Sequence, residues 1–254
     1  MTTVRSIAEL RRELASRPGS VGLVPTMGAL HAGHEALIGA ARAENDVVVV
    51  SLFVNAAQFD EDADLAAYPR DEARDAELAA GAGADLLFAP PAEEIYPPGF
   101  QTWVDVERIS QGLEGDHRPG HFRGVATVCL KLFNIVHPQR AYFGQKDAQQ
   151  VAVIRRLVRD LDLELEIRSV PTVRDTDGLA LSSRNARLSA DERATALALP
   201  RALATRDLAA ARAALAGLDV DYVEIADFDP PVLAAAVRVG STRLIDNVVL
   251  EEEA

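Results

Sequence analysis

With 254 residues, 48% of them apolar and 26% charged, the chain can form one large or two modest domains around a buried core. Its net charge of −13 argues against a broad nucleic-acid surface, which needs clustered Lys and Arg, but leaves room for a small anionic ligand in a local basic pocket. No run approaches the length of a membrane span. The single cysteine, Cys129, cannot form an intramolecular disulfide and sits in an apolar stretch that suits a buried structural thiol, so a cytoplasmic protein is expected.

In chain order, MTTVRSIAELRREL reads as a charged amphipathic helix rather than a secretory leader. SVGLVPT (20–26) is a strand, followed by helical spacing in GHEALIGAARAEN. DVVVVSLFV (46–54) is an unbroken β-branched run, as a strand covered on both faces requires. PRDEARDAELAAGAG is a helix closed by glycines, DLLFAP a strand, TWVDV (102–106) a short β-like piece. GVATVCLKLFNIV is a buried helix stopped by Pro138. RAYFG is a strand, KDAQQVAVIRRLVRD an amphipathic helix and LELEIRSV a strand. Alternating strands and helices imply right-handed crossovers and a doubly wound parallel α/β sheet, whose ligands bind beyond the carboxyl ends of the strands. Near residue 175 the pattern changes to a long helical stretch, SADERATALALPRALATRDLAAARAALAG. Two strand-like segments follow, VDYVEIADF and STRLIDNVVLE, with a short helix between them. The expectation is a first domain over 1–174 and a smaller α+β domain over 175–254.

The chemistry concentrates at VPTMGALHAGHEALI (24–38). The strand ends at Thr26, the chain turns through Met27 and Gly28, and a helix begins near Gly33, with His31 and His34 on its first turn. Unpaired N–H groups and a positive partial charge make that end a seat for phosphate, and two imidazoles add donors that can follow developing charge. The glycine pattern is neither a dinucleotide fingerprint nor a P-loop. Solvated helix-start histidines would look the same; a zinc pair would prefer a spacing of four and a third ligand. Lys146 in GQKD is a cation at a helix start, unfavourable against the helix dipole unless an anion is present. Asp147 could accept from ribose hydroxyls or act as an N-cap. The LSSR run (181–184) offers two hydroxyls and a guanidinium, groups that hold phosphate but also make ordinary turns. By residue type alone, Gln58 and Gln150 read as surface polar side chains.

These stretches, together with SLFVNAAQF (51–59), HFRGVATVCLKLFNIVHP, FGQKDAQQ (143–150), DGLALSSRNARLS (177–189) and VGSTRLIDN (239–247), resemble the pantothenate synthetase (pantoate–β-alanine ligase) family in family order over nearly the whole chain. That family belongs to the HxGH nucleotidyltransferase superfamily shared with class I aminoacyl-tRNA synthetases. The resemblance implies that pantoate and ATP give pantoyl adenylate and pyrophosphate. Attack by β-alanine then yields pantothenate and AMP, on a Rossmann-like domain with a C-terminal lid, in a homodimer. It implies that Met27, Gly28, Ala29, Leu30, His31, Ala32, Gly33 and His34 wrap the nucleotide. Gly144, Gln145, Lys146, Asp147, Val173 and Leu181 then make further contacts, and Ser182, Ser183 and Arg184 lie on the β- and γ-phosphates. His31, His34, Lys146, Ser182, Ser183 and Arg184 are the catalytic candidates, with His34 favoured to donate to the leaving group. Gln58 and Gln150 become pantoate clamps, near which Asn55 and Tyr68 are placed. ATP chemistry implies Mg²⁺ held mostly by phosphates and water. The partners expected are these small molecules, with no nucleic acid and no membrane.

The sequence departs from the family's usual pattern at Ala56, where Pro is common, at Gln145, where Glu is common, and at Leu181, where Met is common; its C-terminal domain is also short. Other readings are a transferase moving AMP or CMP to a phosphate acceptor, and a catalytically silent nucleotide sensor. A tRNA-charging enzyme is disfavoured by the acidic balance and the absence of an anticodon-sized domain.

Overall fold

The computed structural model describes residues 1–60 and 62–250. The backbone of these residues falls into two compact units, one comprising residues 1–60, 62–143 and 153–170, the other residues 144–152 and 171–250.

The first unit is built on a six-stranded parallel sheet of β1 (Thr2–Val4), β2 (Val21–Thr26), β3 (Val47–Leu52), β4 (Leu86–Phe88), β5 (Arg140–Gly144) and β6 (Glu166–Val170), in the order β1-β4-β3-β2-β5-β6. Winding runs outward from β2 through β3 to β4, then restarts at β5 on the other side of β2. The switch point therefore lies between the carboxyl ends of β2 and β5, where such sheets bind ligands. Val24, Val48, Val50 and Leu87 share one face and are covered by Leu37, Ile38 and Ala41 of helix Ala32–Glu44 and Ala79 of helix Glu72–Gly81. Their neighbours Leu23, Val49 and Leu86 point to the other face and are as completely buried. Helix His121–Val136, buried along most of its length, packs on β2 and on helix Ile7–Ala15. This burial on both faces is what the unbroken valine run demanded. Cys129 lies on that helix, and burial pushes its thiol up to about 12, as an inert structural thiol requires.

The second unit packs a three-stranded antiparallel sheet, β7 (Asp219–Ala226), β8 (Val232–Val239) and β9 (Thr242–Val249), against helices Ala190–Ala196, Ala198–Leu203 and Leu208–Leu215. Leu199, Leu203, Leu215, Val223, Leu233, Val237 and Leu244 form its core.

Four expectations need correction. The segment read as a short helix between the last two strands is β8. Its alanines favour a helix in isolation, but strands pair with it on both sides and bury almost all of it. The long helical stretch is three helices. It breaks at Leu197 and again at Thr205–Asp207, where Arg206 takes φ 53° and Asp207 caps the next helix through the Ala210 N–H at 2.7 Å. TWVDV is not paired as a strand; Val104 N–H donates instead to Thr127 Oγ1 at 3.0 Å. The N-terminal helix is confined to Ile7–Ala15, because Thr2–Val4 pairs with β4 as an edge strand.

Candidate functional site

The carboxyl end of β2 leads into a loop held from below. Thr26 Oγ1 donates to Ser51 O at 2.7 Å and accepts from the Gly28 N–H at 3.3 Å. Gly28 and Ala29 then take φ of 88° and 52°, a left-handed pair that needs outside support at the non-glycine residue. Asp75, only 2% exposed, supplies it: one carboxylate oxygen accepts from the Ala29 N–H at 2.9 Å, the other from the Leu30 N–H at 2.7 Å. A Cβ at Gly28 would meet that carboxylate at 2.8 Å.

Helix Ala32–Glu44 starts one residue earlier than the spacing suggests, with His31 as its N-cap. His31 Nδ1 accepts from the Gly33 N–H at 3.1 Å, and His34 Nδ1 accepts from the His31 N–H at 3.3 Å, a capping box built from two imidazoles. A ring nitrogen that accepts is unprotonated, so in both neutral rings the proton sits on Nε2. The rings lie with centroids 4.3 Å apart. Gly33 suits this geometry, since a Cβ there would fall 2.8 Å from His31 Cε1 and push the capping ring aside. The arrangement offers two neutral N–H donors on a helix N-terminus, suited to an anion.

The loop after β3 forms a second feature of the same unit. Asn55, 1% exposed, precedes the short 3₁₀ turn Ala56–Gln58. Its Nδ2 donates to Gly124 O at 3.1 Å and to Gln58 Oε1 at 2.9 Å, while its Oδ1 accepts from the Tyr96 hydroxyl at 3.0 Å. Burial pushes Tyr96 up to about 12, so that hydroxyl keeps its proton. Because a carbonyl can only accept, Gly124 fixes which way the Asn55 amide faces. Asn55 in turn fixes Gln58 with Nε2 as its donor end. Tyr68 joins the two loops, its hydroxyl 3.5 Å from Gly28 O and its ring edge-on to Phe59. A cavity of about 500 Å³ opens beside Met27, Gly28 and Leu52, with Arg5, Arg70 and Glu72 among its charged walls.

The other expected residues, Gly144, Gln145, Lys146, Asp147, Gln150, Val173, Leu181, Ser182, Ser183 and Arg184, all belong to the second unit. Lys146 lies in the 3₁₀ turn Gln145–Asp147, its Nζ 3.8 Å from Asp147 Oδ1. Gln150 follows in the first turn of helix Ala148–Asp160. Asn247 of β9, 4% exposed, grips the turn: its Nδ2 donates to both Gln145 O and Lys146 O at 2.9 Å, and its Oδ1 accepts from Gln145 Nε2 at 3.3 Å. A glutamate at 145 would set a carboxylate against that Oδ1, so Gln145 matches this pairing. Asp246, next to Asn247, is buried and takes a forked bond from Arg174 at 2.6 and 3.1 Å. Arg174 opens a tight hairpin in which the Leu181 N–H donates to Val173 O at 3.0 Å. The chain then enters the 3₁₀ turn Ser183–Arg187, where Ser182 Oγ accepts from the Arg184 N–H at 3.3 Å.

Sequence reasoning missed Asp75, Asn247, Asp246 and His121. Asp75 carried a faint signal, a charge on the apolar face of its helix one turn from buried Ala79; Asn247 gave none beyond its place in LIDN. Among the described residues, no group of three or more His, Cys, Asp or Glu is placed to hold a metal, and no helix is long and apolar enough to cross a membrane.

A family model described as Pantoate-beta-alanine ligase matches residues 1–249. The chain is 52% identical to the pantothenate synthetase of Moorella thermoacetica and 53% identical to that of Rhizorhabdus wittichii, with 99% of each chain covered in both comparisons. Among solved structures, the pantothenate synthetase of Thermus thermophilus superposes with a TM-score of 0.92 at 47% identity, covering 98% of this chain and 99% of that one. The pantoate-beta-alanine ligase of Francisella tularensis, complexed with beta-gamma ATP and beta-alanine, superposes with a TM-score of 0.86 at 36% identity over 98% and 97%.

Proposed function

The chain belongs to the pantoate–β-alanine ligase family, and on that premise we propose how its own residues carry the reaction. It is an ATP-dependent ligase that condenses pantoate with β-alanine to pantothenate through a pantoyl adenylate, releasing pyrophosphate and AMP.

In the first step a carboxylate oxygen of pantoate forms a bond to the α-phosphorus while the bond from that phosphorus to the pyrophosphate oxygen breaks. The substrate supplies the nucleophile, so the protein's work is alignment and stabilisation of charge on the departing oxygen. We assign His31 and His34 to the phosphates through their Nε2 protons, with His34 donating to the leaving group. Because the cap occupies Nδ1 on both rings, they act as neutral donors rather than as acids that give up a proton. Lys146 adds a positive charge on the phosphates, Ser182, Ser183 and Arg184 hold the β- and γ-phosphates, and Asp147 accepts from the ribose. The segment 27–34, with Gly144, Gln145, Val173 and Leu181, encloses the nucleotide. Gln58 and Gln150 hold pantoate; neutral amides orient its carboxylate without drawing charge from the attacking oxygen. In the second step the β-alanine amine forms the amide bond to the acyl carbon, AMP leaves with the electron pair of the broken acyl–phosphate anhydride bond, and the amine proton passes to solvent. ATP would bring Mg²⁺ held mostly by its own phosphate oxygens and water, where the ion would neutralise phosphate charge, which suits a site whose candidates are mostly imidazole, ammonium, hydroxyl and guanidinium groups.

The observation that supports this reading best is the imidazole capping box, which points two ring protons to the same chemical use at the helix start following β2. A homodimer in the cytoplasm completes the proposal. Trp103, 39% exposed and stacked on Tyr96 at 5.9 Å, supplies apolar surface for a subunit contact, and the single cysteine is buried. A coupled pyrophosphate assay tests the chemistry. With ATP and pantoate but no β-alanine, about one pyrophosphate per active site should appear. Adding β-alanine should start continuous release together with AMP. Pyrophosphate release that ignores pantoate, or that requires a phosphorylated acceptor, would overturn the reading.

A further inference from the structure

The 3₁₀ turn that carries Gln58 spans only Ala56–Gln58 and closes on two bonds of its own, Gln58 N–H to Asn55 O and Phe59 N–H to Ala56 O, both at 3.2 Å. So short a turn does not hold its last peptide rigidly. A neighbouring helix does. Gly124 lies so close that a Cβ would fall 2.3 Å from Ala57 O. One turn earlier, His121, 6% exposed, places Nδ1 2.9 Å from Gln58 O and Nε2 3.2 Å from Arg118 Nη1.

The chemistry of the two partners leaves a single assignment. A carbonyl oxygen only accepts, so Nδ1 carries the proton; a guanidinium only donates, so Nε2 accepts. The ring is thus neutral and in one tautomer, and turning it over would set a C–H against the carbonyl. Arg118 is itself held between Asp60 Oδ1 and Glu114 Oε2, each 3.8 Å away, so its charge is balanced beside a ring that must stay uncharged.

We propose that His121, with its tautomer set by Arg118, is a positioning residue that ties down the Gln58 peptide and so aims the Gln58 amide at pantoate. Asn55 and Gly124 set which end of that amide donates; His121 sets where the amide sits. The inference rests on the reading of Gln58 as a pantoate clamp. A leucine would fill the same volume, so packing alone does not account for an imidazole with both nitrogens engaged.

The test is steady-state kinetics with pantoate and ATP varied separately, alongside thermal melting. His121→Leu should raise the KM for pantoate about tenfold, the scale of one lost hydrogen bond, with the KM for ATP changed less than about twofold. His121→Asn keeps a donor where Nδ1 stood and should return the pantoate KM to within about threefold of the parent. His121→Gln moves the donor to the Nε2 position and should behave as the leucine does; should His121→Leu fail to fold, this amide pair carries the comparison. In a Gln58→Ala background, His121→Leu should add less than about twofold, because there is no longer an amide to aim. An unchanged pantoate KM in both His121→Leu and His121→Gln, beside a raised one in Gln58→Ala, would overturn the positioning role alone. So would additive effects, or a parallel rise in the KM for ATP. An unchanged pantoate KM in Gln58→Ala would overturn the clamp reading and this inference with it.

Discussion

Two loops carry the imidazole and ammonium candidates for phosphate, and they are fixed by opposite chemistry. In the first unit, the Asp75 carboxylate accepts from the two backbone N–H groups of Ala29 and Leu30. In the second, the Asn247 amide donates to the two backbone carbonyls of Gln145 and Lys146. Each anchor is almost completely buried and each spends one polar group on two successive peptides. The difference shows what is left for a ligand. Asp75 consumes the N–H groups that a glycine-rich phosphate loop would offer, so on the proposed reading anion recognition there falls to imidazoles. Asn247 consumes carbonyls, removing acceptors that would repel phosphate beside an ammonium. One anchor shifts recognition from backbone to side chain; the other leaves the cation in a less electronegative setting.

The sharpest way to break this contrast is at His34. His34→Ala removes both the Nε2 donor and the cap on the His31 N–H, and should lower the rate of adenylate formation by about 10² or more in a single-turnover pyrophosphate assay. His34→Asn keeps an acceptor for that N–H but no donor at Nε2, and should be about as slow. If His34→Asn recovers most of the rate, the imidazole is a cap and the first loop recognises anions by other means.

The anchors themselves come next. Asp75→Ala leaves two N–H groups, one buried and one half-buried, without an acceptor and should cost about 2–3 kcal/mol in denaturant melts, whereas Asn247→Ala leaves carbonyls, which tolerate under-satisfaction better, and should cost about 1–2 kcal/mol. Asn247→Ala should also raise the KM for ATP through a loosened Lys146. Equal costs would mean that the two devices are energetically the same. The smallest effect is at Ala56, the first residue of the turn carrying Gln58, where Asn55 is extended at φ −80° and ψ 96°, a conformation that tolerates a following proline. Ala56→Pro should stabilise the protein by about 0.4–1 kcal/mol without raising the KM for pantoate. A loss of stability would show that the turn needs the freedom alanine gives it.

Much of this architecture could be read from residue order. The valine run of β3 announced a strand buried on both faces, and the motif order from 24 to 247 located the candidates along the chain. Legibility failed where a residue's neighbours outweigh its own preference. The alanines of β8 obey β7 and β9 rather than helix propensity. Thr102–Val106 alternates like a strand but finds a threonine hydroxyl where it would need another strand. Asp75, Asn247 and His121 act on peptides 45 to 102 positions away, through contacts that no local pattern encodes. Even Gly33, whose place in the motif was plain, has a cause that was not: the glycine makes room for its neighbour's ring.

That crowding ties two codons together. While a capping imidazole stands at position 31, a side chain at 33 displaces its ring, and once the imidazole goes, the demand for glycine goes with it. Drift through this stretch therefore has an order: a change at 33 first displaces the capping ring, whereas a change at 31 first releases position 33. The spelling of the four-letter signature is guarded by its own internal sterics before any nucleotide is present.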